Sequence, residues 1–249
     1  MRPRIAIPVP HSGDPDYAAR SLPQYVHAVE LAGGEAVPVP LDREPSEVLN
    51  LAATCHGVLL PGSRADVDPA KYNAKRHTET AEVDAKRDKV DCLLLDDAYR
   101  GRKPILGICY GLQSLNVYRG GSLIQHIPDF LPAEKRGVNH DAGRKVAVAH
   151  TVHLGRGSLL EKVTGDGTKA SAIAVNSSHH QSADIAGEGL RIVGHCPDDD
   201  IVEAVEGTSP DHFVLAVQWH PERTVEDDEP SRRIFEALVQ AAKQVVPTR

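Results

Sequence analysis

Long hydrophobic runs are missing from this sequence, and so is an excess of basic residues. No stretch of about 18 apolar residues is present, so we expect no membrane-spanning helix. Lysine and arginine number 28 against 35 aspartate and glutamate residues, and the net charge of -7 argues against nucleic-acid binding. The segment Ile5–Val9 is too short, and too broken by proline, for the apolar core of a signal peptide. We therefore expect a cytoplasmic protein with no membrane and no nucleic-acid partner.

Cysteine is also scarce. The four cysteines are Cys55, Cys92, Cys109 and Cys196, and no two of them form a C-x-x-C pair. This spacing argues against a zinc knuckle, and the lack of an export signal argues against a disulfide framework. Three of the four lie in apolar or mixed segments, which is typical of cysteine as a small buried residue. Cys109 differs because it lies between two nearby glycines.

The spacing of histidines and carboxylates predicts no metal site. His150 and His153 lie three residues apart in a strand-like run, so they point to opposite faces and do not share a metal. The acidic run 198–200 is typical of a turn. The run 226–229 precedes a predicted helix, where carboxylates favour the positive end of the helix dipole. We therefore expect no bound metal.

The first half of the chain alternates short β-branched runs with helical patterns. Strands are predicted at 5–10, 35–41, 57–60 and 105–108, and helices at 22–31, 45–53, 82–99 and 112–118. Such alternation is typical of βαβ units around a parallel sheet and predicts an α/β fold. We find no repeat, low-complexity tract or linker, which predicts a single domain over residues 1–249.

The pattern changes after Gly120. Further strands are predicted at 122–127, 145–154, 169–175, 190–196, 201–205 and 213–219. Residues 128–144 are polar and contain glycine and proline, which indicates a long loop, and long loops in compact domains are often functional. An amphipathic helix is predicted over 231–245. The second half is thus expected to add a smaller region of antiparallel strands.

The stretch Gly107-Ile108-Cys109-Tyr110-Gly111 joins a predicted strand to a predicted helix. This is the context of a nucleophile elbow, in which glycines allow a sharp turn that exposes the nucleophile. The helix N-terminus favours a thiolate at Cys109, and the Tyr110 N–H is free to face a developing oxyanion. The alternative is a tight turn that contains an incidental cysteine.

A thiol nucleophile needs a partner base, and Gln218-Trp219-His220-Pro221-Glu222 offers one. His220 follows a buried strand, at the sheet edge where ligands bind in open α/β folds. Residues i and i+2 of an extended segment point to the same side, so Glu222 can hold the imidazole of His220. A surface histidine at a polar strand end is the alternative.

Two motifs together carry a family resemblance. G-x-C-x-G-x-Q is formed by Gly107, Cys109, Gly111 and Gln113, and QWHPE follows near the end of the chain. At these residues the chain resembles the class I glutamine amidotransferase-like superfamily, and within it the γ-glutamyl-γ-aminobutyrate hydrolase group. Matching phrases lie at 25–41, 59–72, 120–127, 176–181 and 216–222. The resemblance implies a flavodoxin-like, three-layer αβα sandwich around a mostly parallel central sheet.

The resemblance also implies roles for individual residues. It makes Cys109 the nucleophile, His220 the general base and then acid, and Glu222 the carboxylate that orients His220. The backbone N–H groups of Gly62 and Tyr110 would form the oxyanion hole. A glycine directly after a strand fits this role, because it lets the backbone approach a ligand closely.

Substrate-binding side chains are implied at two places. Gln113 lies one helical turn past the nucleophile and would help to bind the glutamyl group. The polar cluster 176–181 would lie near the cleft, with Ser178, His179 or His180 touching the substrate. An ordinary polar helix surface and an ordinary polar loop are the alternatives.

The implied reaction is hydrolysis of the γ-glutamyl amide bond of a small compound such as γ-glutamyl-γ-aminobutyrate. It would pass through a γ-glutamyl thioester and require no metal or organic cofactor. Tyr110 stands where many relatives have arginine, and Ser63-Arg64-Ala65 replaces a more glycine-rich loop, so leaving-group specificity could differ. Arg64 could meet a substrate carboxylate or be an ordinary exposed loop residue.

Two other functions stay open at this point. The chain could be a glutaminase subunit that delivers ammonia to a separate synthase, or a non-catalytic binding protein of the same fold. The sequence does not fix the amine portion of the substrate. It does not fix the oligomeric state either, and a homodimer is compatible with it.

Overall fold

The computed structural model describes residues 2–165 and 172–245. Within these residues the strands are β1 (Arg4–Pro8), β2 (Glu35–Val39), β3 (Gly57–Leu60), β4 (Ile105–Ile108), β5 (Leu123–Ile124), β6 (His150–Leu154), β7 (Ala172–Val175), β8 (Ser182–Ala183), β9 (Leu190–His195), β10 (Val202–Gly207) and β11 (Val214–Val217). The α-helices are α1 (Pro15–Leu31), α2 (Pro45–Ala53), α3 (Ala85–Gly101), α4 (Tyr110–Tyr118), α5 (Ile127–Phe130), α6 (Leu159–Thr164) and α7 (Glu229–Ala242).

The large sheet has two halves. Its strand order is β2-β1-β3-β4-β11-β10-β9-β6-β7. The strands from β2 to β11 pair in parallel, and those from β11 to β7 pair antiparallel. The short strands β5 and β8 form a separate antiparallel pair. The predicted antiparallel strands therefore extend the central sheet.

Alternation along the buried strands sends side chains into a core on each face of the sheet. Ile5 and Ile7 of β1 pack in one core with α1 and α7, whereas Ala6 packs in the other with α2, α3 and α4. Both faces are covered because each parallel strand is followed by a helix that returns over the sheet. This arrangement confirms the predicted α/β fold with helices on both sides.

The carboxyl ends of three parallel neighbours meet at one edge. Register places Leu60 of β3 beside Gly107 of β4, and Val217 of β11 beside Ile108 of β4. The next residues along the chain carry the two predicted oxyanion-hole segments, the predicted nucleophile and the predicted base. Ligands bind at this edge in open α/β sheets.

Several predicted elements differ in extent from the structure. Residues 122–127 were expected to form one strand, but only Leu123–Ile124 pair with β8, and Ile127–Phe130 form a short helix that begins next to Pro128. The strand predicted at 145–154 begins at His150, because Gly143 adopts a positive φ of 90° and its segment forms a turn. The start of the strand predicted at 169–175 lies outside the described residues, and β7 covers the rest.

The helices also differ at their ends. The first helix begins at Pro15, where the side chain of Asp14 accepts a hydrogen bond from the N–H of Tyr17, and it runs through Pro23. Residues 128–144 form mostly loop, as predicted, apart from α5 and the 3₁₀ turn Ala133–Lys135. In the described ranges, no helix combines the length and the apolar character needed to cross a bilayer.

Candidate active site

Cys109 lies at a strained corner between β4 and α4. Its φ of 54° and ψ of -108° are rarely adopted by a residue with a side chain. The Cys109 N–H donates to the carbonyl of Val217 at 2.8 Å, and the Cys109 carbonyl accepts from the N–H groups of Leu112 and Gln113. The end of β11 and the first turn of α4 therefore hold the corner from both sides.

The glycines around Cys109 are required by close backbone approach. A Cβ on Gly111 would overlap the carbonyl of Leu60, and a Cβ on Gly107 would lie 2.8 Å from the carbonyl oxygen of Gly111. Real Cβ atoms do not tolerate such contacts with backbone, so larger residues would push α4 away from β3 and β4. The elbow predicted from the glycine spacing is thus present in the backbone.

The protonation of Cys109 differs from the sequence-based expectation. Burial raises the pKa of the thiol to about 12, although the positive charge of Arg223 and the N–H of Tyr110 act in the opposite direction. The side chain is 6% exposed. Removal from water therefore outweighs the helix N-terminus, and the resting group is a neutral thiol. Attack on a substrate then requires a base that takes the proton.

His220 and Glu222 form the predicted pair. The Nδ1 of His220 lies 2.7 Å from Oε1 of Glu222, and both side chains are buried. Burial lowers the pKa of His220, so the imidazole is neutral near pH 7. Burial opposes ionisation of Glu222, but the adjacent imidazole outweighs it and lowers the pKa of the carboxyl group. An ionised Glu222 accepts the Nδ1–H and leaves Nε2 free to accept a proton.

The backbone of His220 is fixed by a residue from another segment. Asn176 donates its side-chain amide to the His220 carbonyl at 2.9 Å and accepts the His220 N–H at 3.0 Å. Asn176 begins the polar cluster 176–181, which follows β7. The cluster and the predicted base are therefore connected through two hydrogen bonds.

Gly62 is a shared neighbour of the predicted nucleophile and the predicted base. A Cβ placed on Gly62 would lie 3.0 Å from Cε1 of His220 and 3.6 Å from Cβ of Cys109. The two residues are 111 positions apart in the chain, and the order of β3, β4 and β11 brings them together. Cys109 and His220 therefore both border Gly62 at the same edge of the sheet.

The Gly62 N–H, predicted to face an oxyanion, donates to the hydroxyl of Tyr25 at 3.0 Å. Arg87, which is fully buried, donates at 2.6 Å to the carbonyl of Pro61 and so orients the peptide unit that contains this N–H. The guanidinium also lies 4.9 Å from the ring centre of Tyr110. One arginine thus contacts both segments predicted to form the oxyanion hole.

A polar cavity of about 300 Å³ opens at this corner. It is lined by Tyr17, Ser63, Arg64, Ala65, Asp66, Cys109, Gln113, Asp141, Gly143, Arg144, Ser178, His179, His180, Gln181, His220 and Arg223. The predicted nucleophile and base, Gln113 and the three predicted contacts from the 176–181 cluster all lie on its wall. Glu222, Gly62 and Tyr110 are not among the residues that line it.

The predicted substrate-binding side chains already have protein partners. Gln113 lies within 3.3 Å of Oε1 of Gln218, and Ser178 accepts a hydrogen bond from Arg223 at 2.9 Å. His180 contacts Asp66 at 3.1 Å, which raises the pKa of His180 mainly through that hydrogen bond. These contacts hold the wall of the cavity in place.

Sequence reasoning missed several charged residues on the cavity wall. Arg223, directly after the HPE motif, lies close enough to Cys109 to oppose the effect of burial on its pKa. Arg144 comes from the long loop, as does Asp141. Arg64, which was expected to be either a ligand for a carboxylate or a surface residue, lines the cavity and pairs with Asp14 at 3.0 Å. The one related prediction was that the long loop 128–144, which contains Asp141 and Arg144, has a functional role.

Comparison with known proteins gives the family of this chain. The model of the peptidase C26 family matches residues 9–222. The chain belongs to the peptidase C26 family. "Putative glutamine amidotransferase Rv2859c" of Mycobacterium tuberculosis is 38% identical over 231 residues, covering 91% of this chain and 69% of the relative. "Gamma-glutamyl-gamma-aminobutyrate hydrolase PuuD" of Escherichia coli K12 is 32% identical over 232 residues, covering 91% of this chain and 88% of the relative.

Solved structures confirm the fold of this C26 family member. A crystal structure described as a "putative gmp synthase subunit a protein" from Thermoplasma acidophilum superposes with a TM-score of 0.66. The match covers 98% of this chain and 96% of that one at 16% sequence identity. The family and its named relatives together support a hydrolase of the glutamine amidotransferase-like group.

Proposed function

We propose that this protein is a cysteine-dependent hydrolase that cleaves the γ-glutamyl amide bond of a small compound such as γ-glutamyl-γ-aminobutyrate. The observation that carries the proposal is the meeting of Cys109 and the His220–Glu222 pair at one wall of a polar cavity. A relative with 32% identity is named as a hydrolase of that compound, which supports the same substrate class.

In the proposed first step, Cys109 Sγ attacks the γ-carbonyl carbon while its proton passes to Nε2 of His220. Neutral imidazole can accept this proton, and ionised Glu222 stabilises the imidazolium that results. The carbonyl oxygen gains negative charge, and the backbone N–H of Tyr110 is the proposed donor to that oxygen. The Gly62 N–H can join it if the oxygen displaces the hydroxyl of Tyr25.

Collapse of the tetrahedral intermediate breaks the C–N bond. His220 returns its proton to the departing amine, and a γ-glutamyl thioester remains on Cys109. A water molecule then gives a proton to His220 and attacks the thioester carbonyl. Glutamate leaves and the thiol regains its proton, so the cycle consumes one water molecule and needs no redox partner.

The charges on the cavity wall suit a γ-glutamyl group, which carries both an α-carboxylate and an α-ammonium. Arg223 and Arg144 offer guanidinium groups for the carboxylate, and Asp66 and Asp141 offer oxygens for the ammonium. A leaving amine with its own carboxylate could contact Arg64 at the exposed side of the cavity. This distribution supports a small zwitterionic substrate.

The proposal is tested by amine release from a panel of γ-glutamyl amides, including glutamine and γ-glutamyl-γ-aminobutyrate, with purified protein alone. We expect turnover by the native chain and a fall of about 10⁶-fold in Cys109→Ala. Cys92→Ala is the matched control, because Cys92 lies on α3 away from the cavity and should keep full activity.

Intact-mass measurement during turnover adds a second readout. A mass increase that matches a γ-glutamyl group on the native chain, absent from Cys109→Ala, supports the thioester. Release of ammonia from glutamine only in the presence of a synthase partner would replace the proposal with the glutaminase-subunit function. Neither turnover nor acylation on any amide of the panel would contradict hydrolysis and favour a binding protein.

A further inference from the structure

Three histidines and one glutamate converge behind the cavity, in the antiparallel half of the sheet. Glu203 lies on β10, His150 on β6, His179 in the 176–181 cluster and His140 in the long loop. None of the four is more than 8% exposed. Their nearest nitrogen atoms lie 3.1 Å (His140 Nδ1), 3.5 Å (His150 Nε2) and 3.4 Å (His179 Nε2) from one oxygen, Oε1 of Glu203.

The far nitrogen of each imidazole identifies the tautomer. His140 Nε2 lies 2.8 Å from a carboxylate oxygen of Asp199, and His179 Nδ1 lies 2.8 Å from the carbonyl of Gln181. His150 Nδ1 lies 3.3 Å from the carbonyl oxygen of Thr151. Each of these partners can only accept, so each far nitrogen must donate its hydrogen. In the neutral imidazoles, the three remaining lone pairs therefore point toward Glu203.

Such an arrangement is unfavourable without a positive charge at its centre. Among the described residues, the three inner nitrogens and both oxygens of Glu203 have no hydrogen-bond partner, although they are buried. One added proton would make His140 an imidazolium between Glu203 and Asp199, but the lone pairs of His150 and His179 would still face Glu203 without a partner. Protonating all three imidazoles would place three positive charges against the two carboxylates of Glu203 and Asp199. Surplus positive charge in a sealed interior is costly, and unpaired buried polar atoms are too.

We propose that His140 Nδ1, His150 Nε2, His179 Nε2 and an oxygen of Glu203 bind one divalent metal ion, with Zn²⁺ as the preferred ion. Ligands at about 2.0–2.1 Å around tetrahedral zinc are separated from one another by about 3.3–3.4 Å, and the three distances to Glu203 scatter around that value. All four donor atoms lie within 4.8 Å of one another. The outer hydrogen bonds match those that usually orient metal-binding histidines.

The site is structural, because four protein ligands close it and no position is left for substrate. Its ion connects β6 and β10 with the long loop and the 176–181 cluster. The same cluster carries Asn176, which fixes the backbone of His220, and Ser178, which contacts Arg223. Metal binding therefore stabilises the loops on one side of the cavity.

The spacing of histidines along the sequence had predicted no metal. His150 and His153 do point to opposite faces of β6, as expected, and His153 is exposed. The partners of His150 come from other segments, separated from it by 10, 29 and 53 positions. No short sequence motif therefore identifies these four residues as metal ligands.

The test uses the purified full chain, stripped with a chelator and titrated with Zn²⁺ alone and with Co²⁺ alone. We expect one ion per chain, a rise in melting temperature with Zn²⁺, and the intense visible bands of tetrahedral Co²⁺. His140→Ala and Glu203→Gln should weaken binding by more than about 100-fold. Asp199→Asn, which changes only an outer partner of His140, should weaken it by about 10–100-fold.

His153→Ala is the matched control, because it removes an imidazole from the same strand on the exposed face and should leave binding unchanged. If His140→Ala does not fold, the isosteric Glu203→Gln variant decides the question. Absence of stoichiometric binding of either ion overturns the proposal, and so does undiminished binding in Glu203→Gln. A thiolate-to-cobalt band would place the ion at Cys196, which also lies near His140 and Asp199, and would overturn this ligand set.

Discussion

The two halves of the sheet each contain a buried glutamate that faces histidine, but they do so differently. On the parallel side, Glu222 follows β11 and holds one imidazole, with its free nitrogen close to a cavity that contains a thiol. On the antiparallel side, Glu203 faces three imidazoles, and of these four residues His179 lines the cavity. The same two residue types are therefore suited to different chemistry in the two halves.

The number of imidazoles per carboxylate explains the difference. One carboxylate and one imidazole can share a proton, so the pair is satisfied without any further partner and can pass a proton on. Three imidazoles that already donate outward leave only lone pairs for the carboxylate they surround. The first arrangement fits proton transfer, and the second fits a bound cation.

The largest expected effect in the comparison comes from removing the glutamate of the parallel half. In Glu222→Ala, the imidazole of His220 loses its fixed tautomer and the charge that stabilises the imidazolium, so kcat/KM should fall about 10²–10⁴-fold. Steady-state kinetics on the best γ-glutamyl amide measures the loss. Glu226→Ala is the control, because that carboxylate is exposed and pairs with His27 on the surface. Equal activity in Glu222→Ala and the native chain would contradict the proposed role of Glu222 in proton transfer by His220.

The second largest expected effect is a loss of stability when Arg87 is replaced. This residue joins segments of the parallel half that are far apart in the sequence. Its guanidinium donates to Asp91 at 2.7 Å, to the carbonyl of Pro10 at 2.9 Å and to that of Pro61. Arg87→Met leaves a buried carboxylate without its partner, so the free energy of unfolding should fall by about 3–5 kcal/mol. Urea denaturation followed by circular dichroism measures this loss.

A second substitution separates charge from packing at Arg87. The double variant Arg87→Met with Asp91→Leu removes both buried charges and should recover part of the lost stability. Arg102→Met is the control, because that arginine on the same side of the sheet is exposed. A loss of less than about 1 kcal/mol in the single variant would mean that the ion pair does not stabilise the segment before Gly62.

The smallest effect is a shift of the pH profile. The proposed base must be neutral, and burial lowers the pKa of His220, so the acid limb of kcat/KM should lie below pH 6.5. Arg223 lowers the same pKa through its positive charge, and its removal in Arg223→Gln should move the limb toward higher pH. Kinetics from about pH 5 to about pH 9 measure the acid limb in both proteins. A limb that stays in place in Arg223→Gln would contradict the assignment to His220.

The sequence allowed good prediction of the parallel half because its signals are local. Strand, turn glycine and helix follow one another around Cys109, and the i, i+2 spacing of His220 and Glu222 already placed the two side chains together. The order β3-β4-β11 supplied the long-range information that brings these local segments to one edge of the sheet.

The antiparallel half resisted prediction for a physical reason. Glu203 lies in an apolar strand, and only the pairing of β10 with β9 and of β9 with β6 brings His150 toward it. His140 reaches the cluster from a loop that has no periodicity to interpret. The charged cavity residues Arg144 and Arg223 were missed similarly, because exposure and direction of a loop side chain are set by tertiary contacts. The strand predicted at 122–127 was longer than the observed β5, because β5 pairs with the two residues of β8 alone.

The backbone at position 109 has a consequence for the durability of this protein. A residue with a side chain at φ 54° and ψ -108° makes the free energy of folding less favourable by about 1–3 kcal/mol. Glycine at this position would remove most of that cost, because it has no Cβ. A library screened for heat resistance alone should therefore enrich variants that have discarded the sulfur. A more heat-stable variant that keeps its activity must therefore retain Cys109 and obtain its added stability from substitutions at other positions.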